Sequence, residues 1–205
     1  MSAAAPASAR LTLVTHASTA ATAAAAFAAD EPLEPRGAAA AGAARGALSR
    51  VTAAVCSPAQ ACVATAAALG LAARPADVWR DWDLGRWRGS TLDEVAAAEP
   101  AAVGTWLADP DAAPHDGESL TALAARVAAT LADPGLVPAE GRAAHLVVVT
   151  HAAVVRAVVL AVLGAPATGF WRLDAAPLTA TVLRGVPGRW TVRATATPLV
   201  PPPRG

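Results

Sequence analysis

The chain has 205 residues, 55% of them apolar and 16% charged, which fits one domain with a sizeable core. Its 16 basic residues are all Arg, are scattered, and balance 16 acidic ones, so nothing forms the basic stripe that nucleic-acid binding requires. The absence of Lys, Asn, Ile and Tyr is the pattern expected from a GC-rich genome, and it weakens arguments from composition alone.

The segment Met1 to Pro6 has neither a charged n-region nor a leucine-rich h-region, so no secretory signal is expected. The most apolar run, Ala152 to Ala165, is shorter than a membrane span and carries Arg156. A cytoplasmic protein without a membrane partner is the expectation. The run Leu11 to Val14 ends in Thr15-His16, and Ser18 to Ala29 is predicted as a helix. Asp30 to Pro35 is a predicted loop and Arg36 to Ser49 a second helix. A strand is predicted at Val51 to Val55, then a helix to about Leu69 with Ser57 as N-cap and Pro58 at its first position. Ala73 to Trp79 is a third predicted strand, and Asp81 to Gly89 a loop dense in Trp, Asp, Gly and Arg. Helices are predicted over Thr91 to Ala98, Pro100 to Ala108 and Ser119 to Ala132, followed by a turn-rich stretch from Asp133 to Gly141. The run Leu146 to Val149 ends in Thr150-His151 and leads into another helix. Thr179 to Arg184 and Arg189 to Ala194 are predicted as an edge hairpin, and Pro198 to Gly205 as a frayed, Pro-rich tail after a single domain over 1–197. The alternation predicts an α/β fold: a three-layer helix/sheet/helix sandwich around a mostly parallel sheet.

The two Thr-His endings stand out, because open α/β sheets put their chemistry at the carboxyl ends of strands. If the two strands are neighbours, two imidazoles meet before helix N-termini, whose N–H groups favour an anion. A neutral imidazole can attack phosphorus at pH 7, which splits one hard displacement into two easier ones. Cys56 and Cys62 have no partner Cys/His pair and match no zinc pattern, so they are expected as buried free thiols, with no metal or cofactor. A Ser/His/Asp hydrolase lacks its Gly-x-Ser-x-Gly elbow.

Six stretches, in order, resemble the histidine phosphatase (phosphoglycerate mutase-like) superfamily: Thr15 to Thr22, Pro32 to Gly37, Ser57 to Ala66, Asp81 to Gly89, Gly117-Glu118-Ser119 and Thr150-His151-Ala152. The resemblance implies His16 as the phospho-accepting nucleophile, His151 as the second histidine at the phosphoryl group, and Asp81 as the proton donor. It also marks a divergent member, because the two usual phosphate-binding arginines are Thr15 and Ala61 here, and the usual Asn is Thr22. Charge-assisted hydrogen bonds to phosphate contribute roughly 1.5–3 kcal/mol each, so losing both without replacement costs about 3–6 kcal/mol of transition-state stabilisation.

Arg86 and Arg88, on the Asp81 loop, are candidate replacements, and Thr15, Thr19, Thr22 and Ala152 are candidate substrate contacts. Arg156 stands where the resemblance commonly implies an arginine and is a third candidate, with a structural or surface residue the simpler expectation; His115 is expected as an exposed loop residue, with a substrate contact as its alternative. Glu118 is open between a helix-dipole carboxylate and a site residue. Trp79, Trp82 and Trp87 are open between core filling and an apolar wall beside Asp81. The implied function is metal-independent hydrolysis of a small phosphorylated metabolite through phospho-His16. The alternative is a catalytically weak or inactive member that binds a small anion. A homodimer is compatible with either.

Overall fold

The computed structural model describes residues 8–137 and 144–199. One six-stranded sheet runs through it, made of β1 (Ala9–Thr15), β2 (Ala53–Cys56), β3 (Arg74–Pro75), β4 (His145–Thr150), β5 (Thr179–Val186) and β6 (Arg189–Pro198), in the order β3-β2-β4-β1-β5-β6. The first four strands are mutually parallel, while β5 and β6 form the predicted antiparallel hairpin at one edge. β1 and β4 are paired up to Thr15 opposite Thr150, so His16 and His151 leave the sheet side by side.

Both strands are mostly aliphatic because both faces are covered, and the buried Thr12 and His145 satisfy each other across them at 2.9 Å. Leu11, Leu13, Leu146 and Val148 join one core cluster with α4 (Leu92–Ala98), α5 (Pro100–Ala108), α6 (Leu120–Ala132) and α7 (Ala152–Leu163). Val14, Val147 and Val149 face the other layer with α3 (Gln60–Ala68) and the end of α2 (Pro35–Ala43). The predicted sandwich is the architecture observed, and α4 and α6 start at the polar residues that cap them: Thr91, in a reciprocal cap with Glu94, and Ser119.

Several local expectations are corrected. The helix predicted after His16 shrinks to α1 (Ala20–Ala24), with no buried residue and a left-handed Ala25; alanine propensity without a face to bury does not sustain a longer helix. α2 stops at Ala43. The strand predicted at 73–79 is only Arg74–Pro75, since Pro75 has no N–H for a ladder, and a 3₁₀ turn follows at Asp77–Trp79. α3 begins at Gln60, so Ser57 is not its cap. Pro198 belongs to β6 opposite Thr179, and Leu199 donates its N–H to the Leu178 carbonyl; of the predicted tail, 200–205 lie outside the described residues, as do 138–141 of the turn-rich stretch.

Two loops that shape the site interlock. The Glu118 N–H donates to the Asp83 carbonyl (2.7 Å) and the Arg86 N–H to the His115 carbonyl (3.0 Å). A Cβ on Gly85 or Gly117 would collide with the backbone of the opposite loop, which explains both glycines. His115 is fully buried rather than exposed: its Nδ1 accepts the Gly117 N–H (3.1 Å) and its ring lies 5.1 Å from that of Trp87. Trp79 and Trp87 are core filling, each nearly inaccessible.

Candidate active site

The rings of His16 and His151 meet edge to face with centroids 5.1 Å apart. His16 Nδ1 lies 2.8 Å from the Ala17 carbonyl, which can only accept; Nδ1 therefore carries a proton, and in the neutral ring the lone pair is on Nε2. His151 is the N-cap residue of α7 and is 4% exposed. Its Nδ1 stands 3.2 Å from Asp81 Oδ2, an ion-pair distance but off the line of a hydrogen bond. Its Nε2 is 2.9 Å from Ser57 Oγ and 3.5 Å from Cys62 Sγ. A ring proton on Nδ1 faces the Asp81 oxygen, and in that tautomer Nε2 accepts from the Ser57 hydroxyl, whose oxygen also accepts the Ala59 N–H (3.3 Å). Burial lowers the His151 pKa, outweighing the opposite pull of Asp81, and nearby His16 lowers it further; the ring is neutral at pH 7. Burial and the Asp81 charge push the Cys62 thiol up, so it sits there as an inert thiol.

Asp81 is held by its own backbone. Its Oδ1 accepts the Trp82 N–H (2.8 Å), and Arg126, in α6, binds the carbonyls of Val78 (3.1 Å), Arg80 (3.2 Å) and Asp81 (3.2 Å). The same guanidinium grips both oxygens of Glu118, at 2.9 and 2.8 Å, in a pair whose side chains are 13% and 11% exposed. This settles the role left open for Glu118: it is the buried counter-ion of Arg126.

A cavity of about 350 Å³ opens over the histidines. His16, His151, Ser57, Ala61, Asp81 and Trp82 line it, with Asp30, Glu31, Asp83, Arg80 and Arg88 among the others around it. α7 presents first-turn N–H groups beside His151 without a side-chain cap. After His16, the Ala17 N–H goes to Thr65 Oγ1 (3.0 Å), and Thr19 caps the Thr22 N–H of α1.

Of the predicted substrate contacts, only Arg88 lines the cavity. Arg86 is turned away, bidentate to Glu99 (3.0 and 2.7 Å) and bonded to the Pro114 carbonyl, because the Gly85–Trp87 turn aims successive side chains in different directions. Thr15 is buried at the end of β1, and its hydroxyl has no partner among the described residues. Thr19 donates to Glu31 Oε1 (2.8 Å), Thr22 completes the α1 cap, and Ala152 opens α7; none of these lines the cavity. Glu31 is partly buried, which works to raise its pKa, but the bonds from Thr19 and the Ala29 N–H outweigh this and hold it low. Arg156 donates to the Leu173 carbonyl (2.8 Å) and lies over Phe170, a structural role as expected.

The sequence reading missed Ser57, Arg126, Arg80, Asp30 and Asp83. Ser-Pro ahead of a helical run mimics a cap, and Glu118 and Arg126 are too far apart in sequence for any helix-spacing rule. Among the described residues no group of three metal-ligating side chains occurs, and no helix is long and apolar enough to cross a membrane.

The sequence model of the histidine phosphatase superfamily, branch 1, matches residues 11–197. The chain belongs to this superfamily. Among solved structures, the histidine phosphatase fold of this chain is similar to one described as mycobacterial hydrolase 1 (26% identity, TM-score 0.79, covering 92% of this chain and 99% of that one). It is also similar to a mycobacterial glucosyl-3-phosphoglycerate phosphatase in complex with VO3 (27%, TM-score 0.77, 92% and 98%). An α-ribazole phosphatase from Shigella flexneri shares the fold at 20% identity (TM-score 0.76, 92% and 96%). No curated protein sequence matches this histidine phosphatase family member.

Proposed function

We propose that the protein hydrolyses a small phosphomonoester through a phosphohistidine at His16. The observation that carries this is the His16 tautomer: Nδ1–H is committed to the Ala17 carbonyl, which leaves a neutral Nε2 as nucleophile next to His151. In the first step Nε2 bonds to phosphorus, the bond to the ester oxygen breaks, and Asp81 gives its proton to the leaving alcohol. In the second, water attacks the phosphohistidine while Asp81 takes its proton, so inorganic phosphate leaves and His16 returns neutral. The His151 Nδ1–H and the α7 N–H groups hold the phosphoryl oxygens, and Arg88 supplies positive charge. The family membership and the phosphatase relatives, one of them crystallised with VO3, support this reading.

The second reading, a weak or inactive binder of small anions, is favoured by the uncharged Thr15 and Ala61 at the positions where the family pattern carries arginine. Assays on p-nitrophenyl phosphate and a phosphomonoester panel at mildly acidic pH, with and without a chelator, separate the two. Wild type is expected to turn over substrate with or without chelator and to form an acid-labile phosphoenzyme, both lost in His16→Ala. Activity surviving in His16→Ala, or absent from both, defeats the phosphatase reading; anion binding without turnover selects the second.

A further inference from the structure

The cavity is acidic for a site that would receive a phosphate ester. Besides Asp81, the proton donor of the proposed reaction, three carboxylates line it, those of Asp30, Glu31 and Asp83, against two guanidinium groups. Arg80 is paired with Asp77 at 3.1 Å, which leaves Arg88 as the lining cation without an ion pair among the described residues. Glu31 is occupied at both oxygens, by Thr19 and the Ala29 N–H.

Three aspartates repeat one arrangement. In Asp30, Asp81 and Asp83 one oxygen accepts a backbone N–H, from Gln60 (2.8 Å), Trp82 (2.8 Å) and Gly85 (3.0 Å) respectively. The second oxygen of each makes no hydrogen bond among the described residues, and that of Asp81 stands beside His151. The carboxylates are thus fixed by the chain while keeping an oxygen free. A second observation marks the cavity as built for a polar ligand: His151, 4% exposed, lines it with an Nδ1 that has no hydrogen-bond partner. An ester carrying only negative charge would meet net repulsion beyond Arg88, whereas a ligand with a cation in its organic part meets complementary charge.

We infer, building on the phosphomonoesterase reading of His16, that the substrate is zwitterionic: a phosphomonoester whose organic part carries an ammonium or guanidinium group, received by Asp30 and Asp83. Carboxylates also accept hydroxyl groups, so a polyol phosphate is the competing ligand, and the test separates the two.

His16→Ala protein, which cannot consume ligand, is titrated calorimetrically at pH 7 with 2-aminoethyl, 2-hydroxyethyl and n-propyl phosphate, three probes of similar size. The amine is expected to bind about tenfold more tightly than the alcohol, as a charge pair at a partly solvated site allows. Adding Asp30→Asn and Asp83→Asn should erase that preference, since the amide oxygen still accepts the backbone N–H but the charge is gone. If the double substitution lowers the melting temperature strongly, the single substitutions are used, and each should cut the preference by about threefold. Equal or tighter binding of the alcohol, a preference that survives the substitutions, or no binding of the amine overturns the inference. Wild-type hydrolysis of p-nitrophenyl phosphate is scored separately: its presence keeps the phosphatase reading even when the amine preference fails, and its absence removes that reading even when the preference holds.

Discussion

Arg126 offers the sharpest test of how the site is held. Its guanidinium makes five hydrogen bonds, two to the Glu118 carboxylate and three to carbonyls of the segment that ends in Asp81. Arg126→Met keeps most of the stem volume and removes the charge, leaving Glu118 at 11% exposure with no counter-ion. Breaking a buried pair from one side costs about 3–5 kcal/mol, mostly through the stranded charge. For a chain of this size each kcal/mol moves the melting temperature by about 2–4 °C, so the variant should melt roughly 6–20 °C lower. Glu118→Gln with Arg126→Met removes the stranded charge and should recover about 2 kcal/mol of the loss. Because the Asp81 carbonyl is still unclamped, kcat/KM on a phosphomonoester should stay down by about tenfold in the double variant, with an altered pH profile on the limb that Asp81 governs. Melting curves and steady-state kinetics on both single variants and the double provide the cycle. Effects that add to within about 0.5 kcal/mol would refute the buried-charge argument, and full recovery of kcat/KM alongside stability would refute the positioning argument.

Arg88→Ala should raise KM for a phosphomonoester by about tenfold, the loss of one charge-assisted bond, while Arg86→Ala, whose guanidinium is bound to Glu99, should leave KM within about twofold; equal effects in a kinetic comparison would contradict the orientations. Ser57→Ala removes the donor to His151 Nε2 and should lower kcat by about tenfold for about 1–2 kcal/mol of stability, with Ser57→Thr restoring much of it, as steady-state assays and melts would show. His115, His145 and His151 all have pKa values lowered by burial from the ordinary 6.5, so each contributes stability that is present above that value and lost as pH falls towards the folded-state value. Melting temperature at constant ionic strength should therefore drop between pH 7.5 and 5, and a flat or rising profile would be inconsistent with neutral buried imidazoles.

The parts of the fold legible in the sequence are those fixed by burial on both faces or by a local cap. β1 and β4 stand out because their short, largely aliphatic runs suit a strand covered on two sides, and α4, α5 and α6 start where Thr91, Pro100 and Ser119 say. The region after His16 misleads, since alanine repeats score as helix whether or not a neighbouring surface receives them. At the site, the placement of His16 beside His151 follows from strand register, which the repeated Thr-His endings encode. What stays hidden is side-chain direction in the loops: Arg86 and Arg88 are two residues apart, yet one grips Glu99 and the other borders the cavity. Asp30 was equally invisible, because its contact with Gln60 spans thirty residues, and Asp83 because its bond to Gly85, two residues on, marks a turn and not a cavity.

The position of β4 in the sheet has a consequence for synthesis. It lies between β2 and β1, but it is translated long after both. A nascent chain on the ribosome that has not yet reached Ala144 has to hold those two strands with a vacant slot between them, each with unpaired N–H and C=O groups beside aliphatic side chains. Until the slot is filled, the growing polypeptide is open to strand exchange with its neighbours; the arrival of one late hexapeptide joins β1 to β2 and delivers the second imidazole in the same event, while the far edge of β1 waits for β5.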